Sequence, residues 1–197
     1  MMGIQEKQSD VGNLGSAESA TVEVKSQTTS SLFPTYARYP ISLVKGEGSW
    51  LWDDEGNKYL DFMSGLAVTN LGHAPIKVKE KLKQQLDELW HVSNLFQIPN
   101  QEKAASLLTS ISCGDAVFFC NSGAEANEAA IKLARRYHQK TKGTGRYEVI
   151  TFNQSFHGRT LATLTATGQD KVKEGYLPLP AGFKTVPLHD LEALKAA

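Results

Sequence analysis

The stretch that decides the fold is Ala116-Val117-Phe118-Phe119-Cys120-Asn121-Ser122-Gly123-Ala124-Glu125-Ala126-Asn127-Glu128-Ala129-Ala130-Ile131-Lys132-Leu133-Ala134-Arg135-Arg136-Tyr137-His138, with Tyr147-Glu148-Val149-Ile150-Thr151-Phe152 following soon after. Residues 116–120 form a continuous apolar run of strand length, the pattern of a strand buried on both faces. A helix is expected from about Ala124 to His138, with Ala126, Ala130, Leu133, Ala134 and Tyr137 inward and Glu128 paired with Lys132 at i,i+4. Residues 147–152 read as the next strand. Strand, turn, helix, strand is a βαβ unit, which implies a parallel sheet and a right-handed crossover. The fold class is therefore α/β.

Working outward, Phe183-Lys184-Thr185-Val186 reads as a further strand, and Asp190 as the cap of a helix that opens Leu191-Glu192-Ala193-Leu194 and ends with the sequence at Ala197. A parallel sheet with a helix cut short predicts an incomplete domain. Upstream, Leu82, Leu86, Leu89 and Trp90 share one helical face, with Lys81 and Lys83 on the solvated side. A second helix is expected after Asn100 as N-cap, with Glu102 in its first turn, and Gly114 as its end. Three short runs, Ile41–Val44, Ser49–Trp52 and Tyr59–Phe62, are separated by Lys45–Gly48 and Asp53–Asn57. They predict a small antiparallel meander. Trp50 and Trp52 lie two apart, hence on one face, expected inward as core.

Composition bounds the rest. The 197 residues carry 21 Lys+Arg and 21 Asp+Glu, a formal net charge of zero. That balance points to neither nucleic acid nor an anionic membrane as partner, and no apolar run has the length of a membrane span. Two cysteines make no disulfide framework, and no Cys/His spacing reads as a metal site. A cytoplasmic location is the expectation. No aromatic residue precedes Phe33, and residues 1–31 hold nine Ser or Thr. This stretch is expected to be a disordered tail, with neither the apolar core of a secretory signal nor the arginines of a transit peptide. The expected organisation is a tail over 1–31, a segment with the meander over 32–75, and an incomplete large domain over 76–197.

Two places carry candidate chemistry. Ser122-Gly123-Ala124 joins the apolar run to a helix N-terminus, where the first N–H groups lack acceptors and the dipole is positive. Gly123 lets an anion approach and Ser122 adds a hydroxyl, so the turn suits a phosphate. A tight turn that merely needs a glycine explains the same residues equally well. It fits neither the Walker loop nor the dinucleotide pattern. Ser155-Phe156-His157-Gly158-Arg159-Thr160, after the next strand, offers an aromatic face, an imidazole and a guanidinium suited to a carboxylate. Alone it reads as a capping loop; beside an anion-binding turn it gains weight as a site. His73 reads as structural. His91 and Asn94 suit a pocket wall or a packed loop equally. Cys120 reads as a small buried residue, and Cys113 has no catalytic setting.

Phe118–Ala130 together with Ser155–Thr160 closely resembles the class III aminotransferases, fold-type-I enzymes dependent on pyridoxal 5′-phosphate. Leu32-Phe33-Pro34-Thr35-Tyr36-Ala37-Arg38, Trp52–Phe62 and Leu89–Leu95 bring it nearest to the bacterial acetylornithine-type members. The likeness runs from about residue 32 to the end. It implies an N-terminal meander followed by the first half of a mainly parallel large domain. It implies that Ser122, Gly123 and Ala124 hold the cofactor phosphate, that Phe156 stacks on the pyridine ring, and that Arg159 holds the substrate carboxylate. It implies transfer of the amino group of N-acetylornithine to 2-oxoglutarate, in arginine biosynthesis, by a homodimer when complete. Gly72-His73-Ala74-Pro75-Ile76 departs from the usual Gly-His-x-His-Pro. The larger departure is that neither the family's Schiff-base lysine nor its Asp-x-Val-Gln element has a counterpart among the 197 residues, which contain 16 lysines. No catalytic residue and no metal ligand is therefore expected in this chain, and as written it is expected to be inactive alone. Ornithine, succinylornithine or 4-aminobutyrate transamination, an aminomutase of the same class, and a non-catalytic truncated paralogue remain the competing readings.

Overall fold

The computed structural model describes residues 31–197. The tail expected over 1–31 therefore lies, but for Ser31, outside the described residues. Chain contacts divide the described residues into two compact units, 31–96 and 97–197.

The first unit contains the meander. Strand β1 (Leu43–Glu47) pairs antiparallel with β2 (Trp50–Asp53), and β2 with β3 (Lys58–Leu60). Lys45–Glu47, expected in the connection, belong to the strand. Glu47 faces Trp50, so Gly48 and Ser49 alone make the turn. Gly48 has φ +57°, the left-handed region that glycine enters without cost. The second turn is organised by Asp53, which is 7% exposed. Its carboxylate accepts from Glu55 N (3.1 Å), Asn57 N (2.8 Å), Asn57 Nδ2 (3.0 Å) and the Tyr59 hydroxyl (2.7 Å). Burial pushes the Asp53 carboxyl up, but these four donors outweigh it and hold it below the ordinary value.

Trp50 and Trp52 share a face, as expected, yet they are half-buried rather than core. Lys58 Nζ sits 3.9 Å from the Trp50 ring centre, and Lys45 Nζ 4.5 Å from that of Trp52. Two lysine stems cover the indoles while their charges meet the π faces.

His73 has the structural role expected of it. Its Nε2 lies 2.7 Å from Asp61 Oδ2, and its backbone exchanges two hydrogen bonds with Gly48. Asp61 also accepts from Met63 N and Ser64 N (2.8 and 2.9 Å). The His73 hydrogen bond, then these backbone donors, hold the Asp61 carboxyl below its usual range. From Asp61 the chain enters α1 (Ser64–Ala67), a single left-handed turn with φ of +49°, +58°, +61° and +65°. Helix α2 (Ile76–Glu88) follows; Leu82 and Leu86 on it are exposed, as are Leu89 and Trp90, expected on the same helical face but lying past its end.

The second unit opens with α3 (Pro99–Ser110). Its N-cap is Ile98, not Asn100, because Pro99 takes the first helical position, where a missing N–H costs nothing. Helix α4 (Gly123–Arg136) continues into a π-helical turn over Tyr137–Thr141. Strands β4 (Val149–Phe152) and β5 (Phe183–Val186) pair in parallel, Val149 opposite Phe183. Between them lies α5 (Leu161–Ala166), so a βαβ unit is present one step later in the chain than expected. The core sits where α5 meets this ladder: Thr163, Leu164, Ala166, Thr167, Thr151 and Val186 are buried. Helix α6 (Leu191–Ala196) is capped by Asp190, whose Oδ1 accepts from Ala193 N at 2.9 Å.

Two expectations fail here. Residues 116–120 form no strand, and Phe118 is 71% exposed. A parallel strand exists through its neighbours' N–H and C=O groups, and none of the described residues supplies that ladder. For the same reason the Ala126, Ala130, Leu133 and Tyr137 face of α4 is exposed. The half-buried residues are instead Ala124, Asn127, Glu128, Ala129, Ile131 and Arg135. Cys120, expected to be buried, is exposed too.

Candidate functional site

The turn at residues 121–125 is built by reciprocal capping. Ser122 Oγ accepts from Glu125 N at 3.2 Å, and the Glu125 carboxylate reaches back to Asn121 N at 2.7 Å and Ser122 Oγ at 3.3 Å. The Ser-x-x-Glu spacing is the sequence pattern of a capping box, but here the glutamate accepts from Asn121 N, one residue before the cap, rather than from Ser122 N. The N–H groups of Gly123 and Ala124 open the helix and have no acceptor within it by position. A methyl group built on Gly123 would meet nothing within 4 Å, so the approach to these donors is open.

The loop after β4 comes to this helix end. Gly158 is buried at φ +133°, and a Cβ there would lie 2.8 Å from the Ala124 Cβ. Glycine is therefore what lets the loop lie on the first turn of α4. Asn127 Nδ2 donates to the His157 carbonyl at 2.7 Å, and Thr160 Oγ1 donates to Glu128 Oε1. Glu128 is thus engaged across to the loop and makes no ion pair with Lys132. His157 N donates to Thr167 Oγ1 at 2.9 Å, while its ring Nε2 is buried without a partner. Thr160 caps α5 and trades side-chain and backbone hydrogen bonds with Thr163. On the far side, Gly168 N donates to Ser155, and Gln154 N donates to the Gly168 carbonyl at 2.7 Å.

Ser122, Gly123, Ala124, Phe156 and Arg159 are therefore assembled on α4 and a loop fastened to its first two turns. Phe156 is 60% exposed, its ring free of core packing, with the Arg159 guanidinium 5.7 Å from the ring centre. The arrangement offers an anion seat, an accessible aromatic face and a cation. These fit a flat, phosphorylated ring carrying a carboxylate-bearing substrate. Sequence reading missed Asn127, Glu128 and Gly158. Their partners lie about 30 residues away, and periodicity within one helix carries no such information. His91 and Asn94 are exposed in the first unit. Among the described residues, no His, Cys, Asp and Glu cluster could hold a metal ion, and no helix is long and apolar enough to cross a membrane.

Residues 33–197 match the family described as aminotransferase class-III, and the chain belongs to that family. It is 58% identical over 166 residues to the acetylornithine aminotransferase of Halalkalibacterium halodurans, covering 84% of this chain and 42% of that protein. It is 56% identical over 167 residues to the acetylornithine aminotransferase of Bacillus amyloliquefaciens, covering 85% of this chain and 70% of that protein. Among solved structures it is similar to the ornithine aminotransferase of Toxoplasma gondii, with a TM-score of 0.78 and 28% identity, over 84% of this chain and 39% of that one. The fold is accordingly the α/β fold of the type I pyridoxal-phosphate aminotransferases, in part. The chain spans 42% of the length of the first curated relatives it matches.

Proposed function

We propose that this chain is the phosphate- and ring-holding portion of a pyridoxal-phosphate-dependent aminotransferase that moves the amino group of N-acetylornithine to 2-oxoglutarate. The observation that carries the proposal is the fastening of the Phe156–Arg159 loop onto the open N-terminus of α4. When bound, the cofactor supplies the electron sink that lets the bonds beside the substrate's amino group break. The chain's own residues bind and orient. The Gly123 and Ala124 N–H groups and the Ser122 hydroxyl take the phosphate, which lies at the positive end of the helix dipole. Phe156 lies against the ring face. Arg159 holds a substrate carboxylate by a bidentate contact.

The acetylornithine reading is supported by relatives of that name at 46–58% identity, against 28% for the ornithine aminotransferase of Toxoplasma gondii. A place in arginine biosynthesis, a cytoplasmic location and a homodimeric whole protein accompany it. The family's Schiff-base lysine is matched by none of the 16 lysines, so the cofactor would be held here without a covalent anchor. The test is glutamate formation from N-acetylornithine and 2-oxoglutarate. The intact protein isolated from its own cells is expected to be active and the 197-residue chain inactive. Cofactor-dependent turnover by the 197-mer, or an intact protein that ignores N-acetylornithine, would overturn the proposal.

A further inference from the structure

We infer that Asn127 and Glu128 are positioning residues that set the Phe156 ring and the Arg159 guanidinium over the phosphate seat. The inference deepens the proposed function and rests on that reading of the site.

The 153–160 loop is held at its centre. His157 has its carbonyl taken by Asn127 Nδ2 at 2.7 Å and its N–H taken by Thr167 Oγ1 at 2.9 Å. Thr167 is fully buried and returns its hydroxyl to the Thr163 carbonyl at 2.9 Å. One residue before this pinned point stands Phe156, 60% exposed, and two residues after it stands the exposed Arg159. Neither side chain has core packing to fix it; the backbone anchors at Ser155, held from Gly168 and Gln169, and at His157 stand on either side of Phe156. A further anchor is Thr160 on Glu128, which fixes the chain immediately beyond Arg159. Gly158, between the last two anchors, rests on Ala124. Asn127 and Glu128 are adjacent on α4, one turn beyond the phosphate-seat residues Gly123 and Ala124. The helix that presents the anion seat thus also dictates where the ring-stacking and carboxylate-holding groups stand. An exposed aromatic gains most from such an anchor, because it enters binding without a loop-ordering cost.

The experiment measures binding of two probes to the 197-residue chain: inorganic phosphate, and pyridoxal 5′-phosphate followed by its absorbance. Wild-type chain is expected to bind the cofactor more tightly than phosphate, since only the cofactor reaches Phe156. Asn127→Ala is expected to weaken cofactor binding about tenfold, the loss of one ordinary hydrogen bond, and to leave phosphate binding unchanged. Glu128→Ala should behave likewise. Glu128→Gln, which keeps an oxygen for the Thr160 hydroxyl, should recover cofactor binding. Equal loss of both probes, cofactor binding unaltered in both alanine variants, or no recovery in Glu128→Gln would overturn the positioning role. Should Asn127→Ala fail to fold, the Glu128 pair decides alone. A wild-type chain that binds both probes equally would instead refute the reading of the site itself, and the inference with it.

Discussion

Replacing Gly158 with alanine adds one methyl group at the point where loop and helix meet. The backbone there has φ +133°, a conformation L side chains rarely adopt, and holding it costs about 1–3 kcal/mol for a non-glycine residue. The new Cβ would also stand 2.6 Å from Thr163 Oγ1, 2.8 Å from Ala124 Cβ and 3.0 Å from Thr163 Cβ. These are short, buried groups that cannot swing aside, and such overpacking costs a further ~1–3 kcal/mol. The sum, about 4 kcal/mol, is a large share of the ~5–15 kcal/mol that holds a typical domain together. With a urea dependence of about 1–3 kcal/mol/M, the unfolding midpoint should fall by roughly 2 M. Far-ultraviolet circular dichroism, which follows α4 and α5, is the readout. Gly123→Ala is the internal control. Its φ is ordinary and nothing lies within 4 Å of the added methyl, so the same substitution should shift the midpoint little, or upward through helix propensity. Equal midpoints for the two variants would refute the claim that Gly158 is required by close approach.

The remaining predictions concern acid and substrate. Asp61 has its carboxyl lowered chiefly by the His73 hydrogen bond, so its contribution to stability is complete above the ordinary carboxylate value of about 3.9 and is lost as pH falls through the lower folded value. Thermal melts of wild type and Asp61→Asn should therefore differ by a constant amount near neutrality and converge below about pH 4; a gap that widens in acid would contradict the assignment. In the whole enzyme, Arg159→Ala should raise the KM for the amino donor through loss of a charged bidentate contact, on the order of 1.5–3 kcal/mol. Unchanged KM and kcat would remove Arg159 from the substrate site.

What the sequence discloses and what it conceals divide along the range of the interactions. The start of α4 at Ser122, strand β5 over Phe183–Val186 and the Asp190 cap are all legible, because each is decided by residues within one turn of itself. The meander is legible too, although its first turn tightens to Gly48-Ser49 once pairing is known. The failures involve distant partners. An apolar run such as residues 116–120 announces a wish for burial without saying which strands provide it. The outward-facing stripe of α4 is the same signal misread as an inward face. The left-handed turn at Ser64–Ala67 had no local warning, since Leu66 and Ala67 have no preference for positive φ. At the site, the turn Ser122–Ala124 and the exposed Phe156 and Arg159 could be singled out from residue chemistry alone. The Asn127 and Glu128 fastenings could not, since each spans about thirty residues of chain.

The lysine-covered indoles of the meander give the chain a built-in optical division. All three tryptophans, at positions 50, 52 and 90, fall in the first unit, and residues 97–197 contain none. Tryptophan emission therefore reports on the meander and the segment just after α2, while tyrosine and peptide signals are needed to see the second unit. Ammonium groups seated at 3.9 and 4.5 Å over Trp50 and Trp52 should give those indoles an emission that changes when the hairpin opens and the lysines leave. Two dyes, in effect, have been placed on one half of the molecule, and the loss of that half can be watched on its own in a single cuvette.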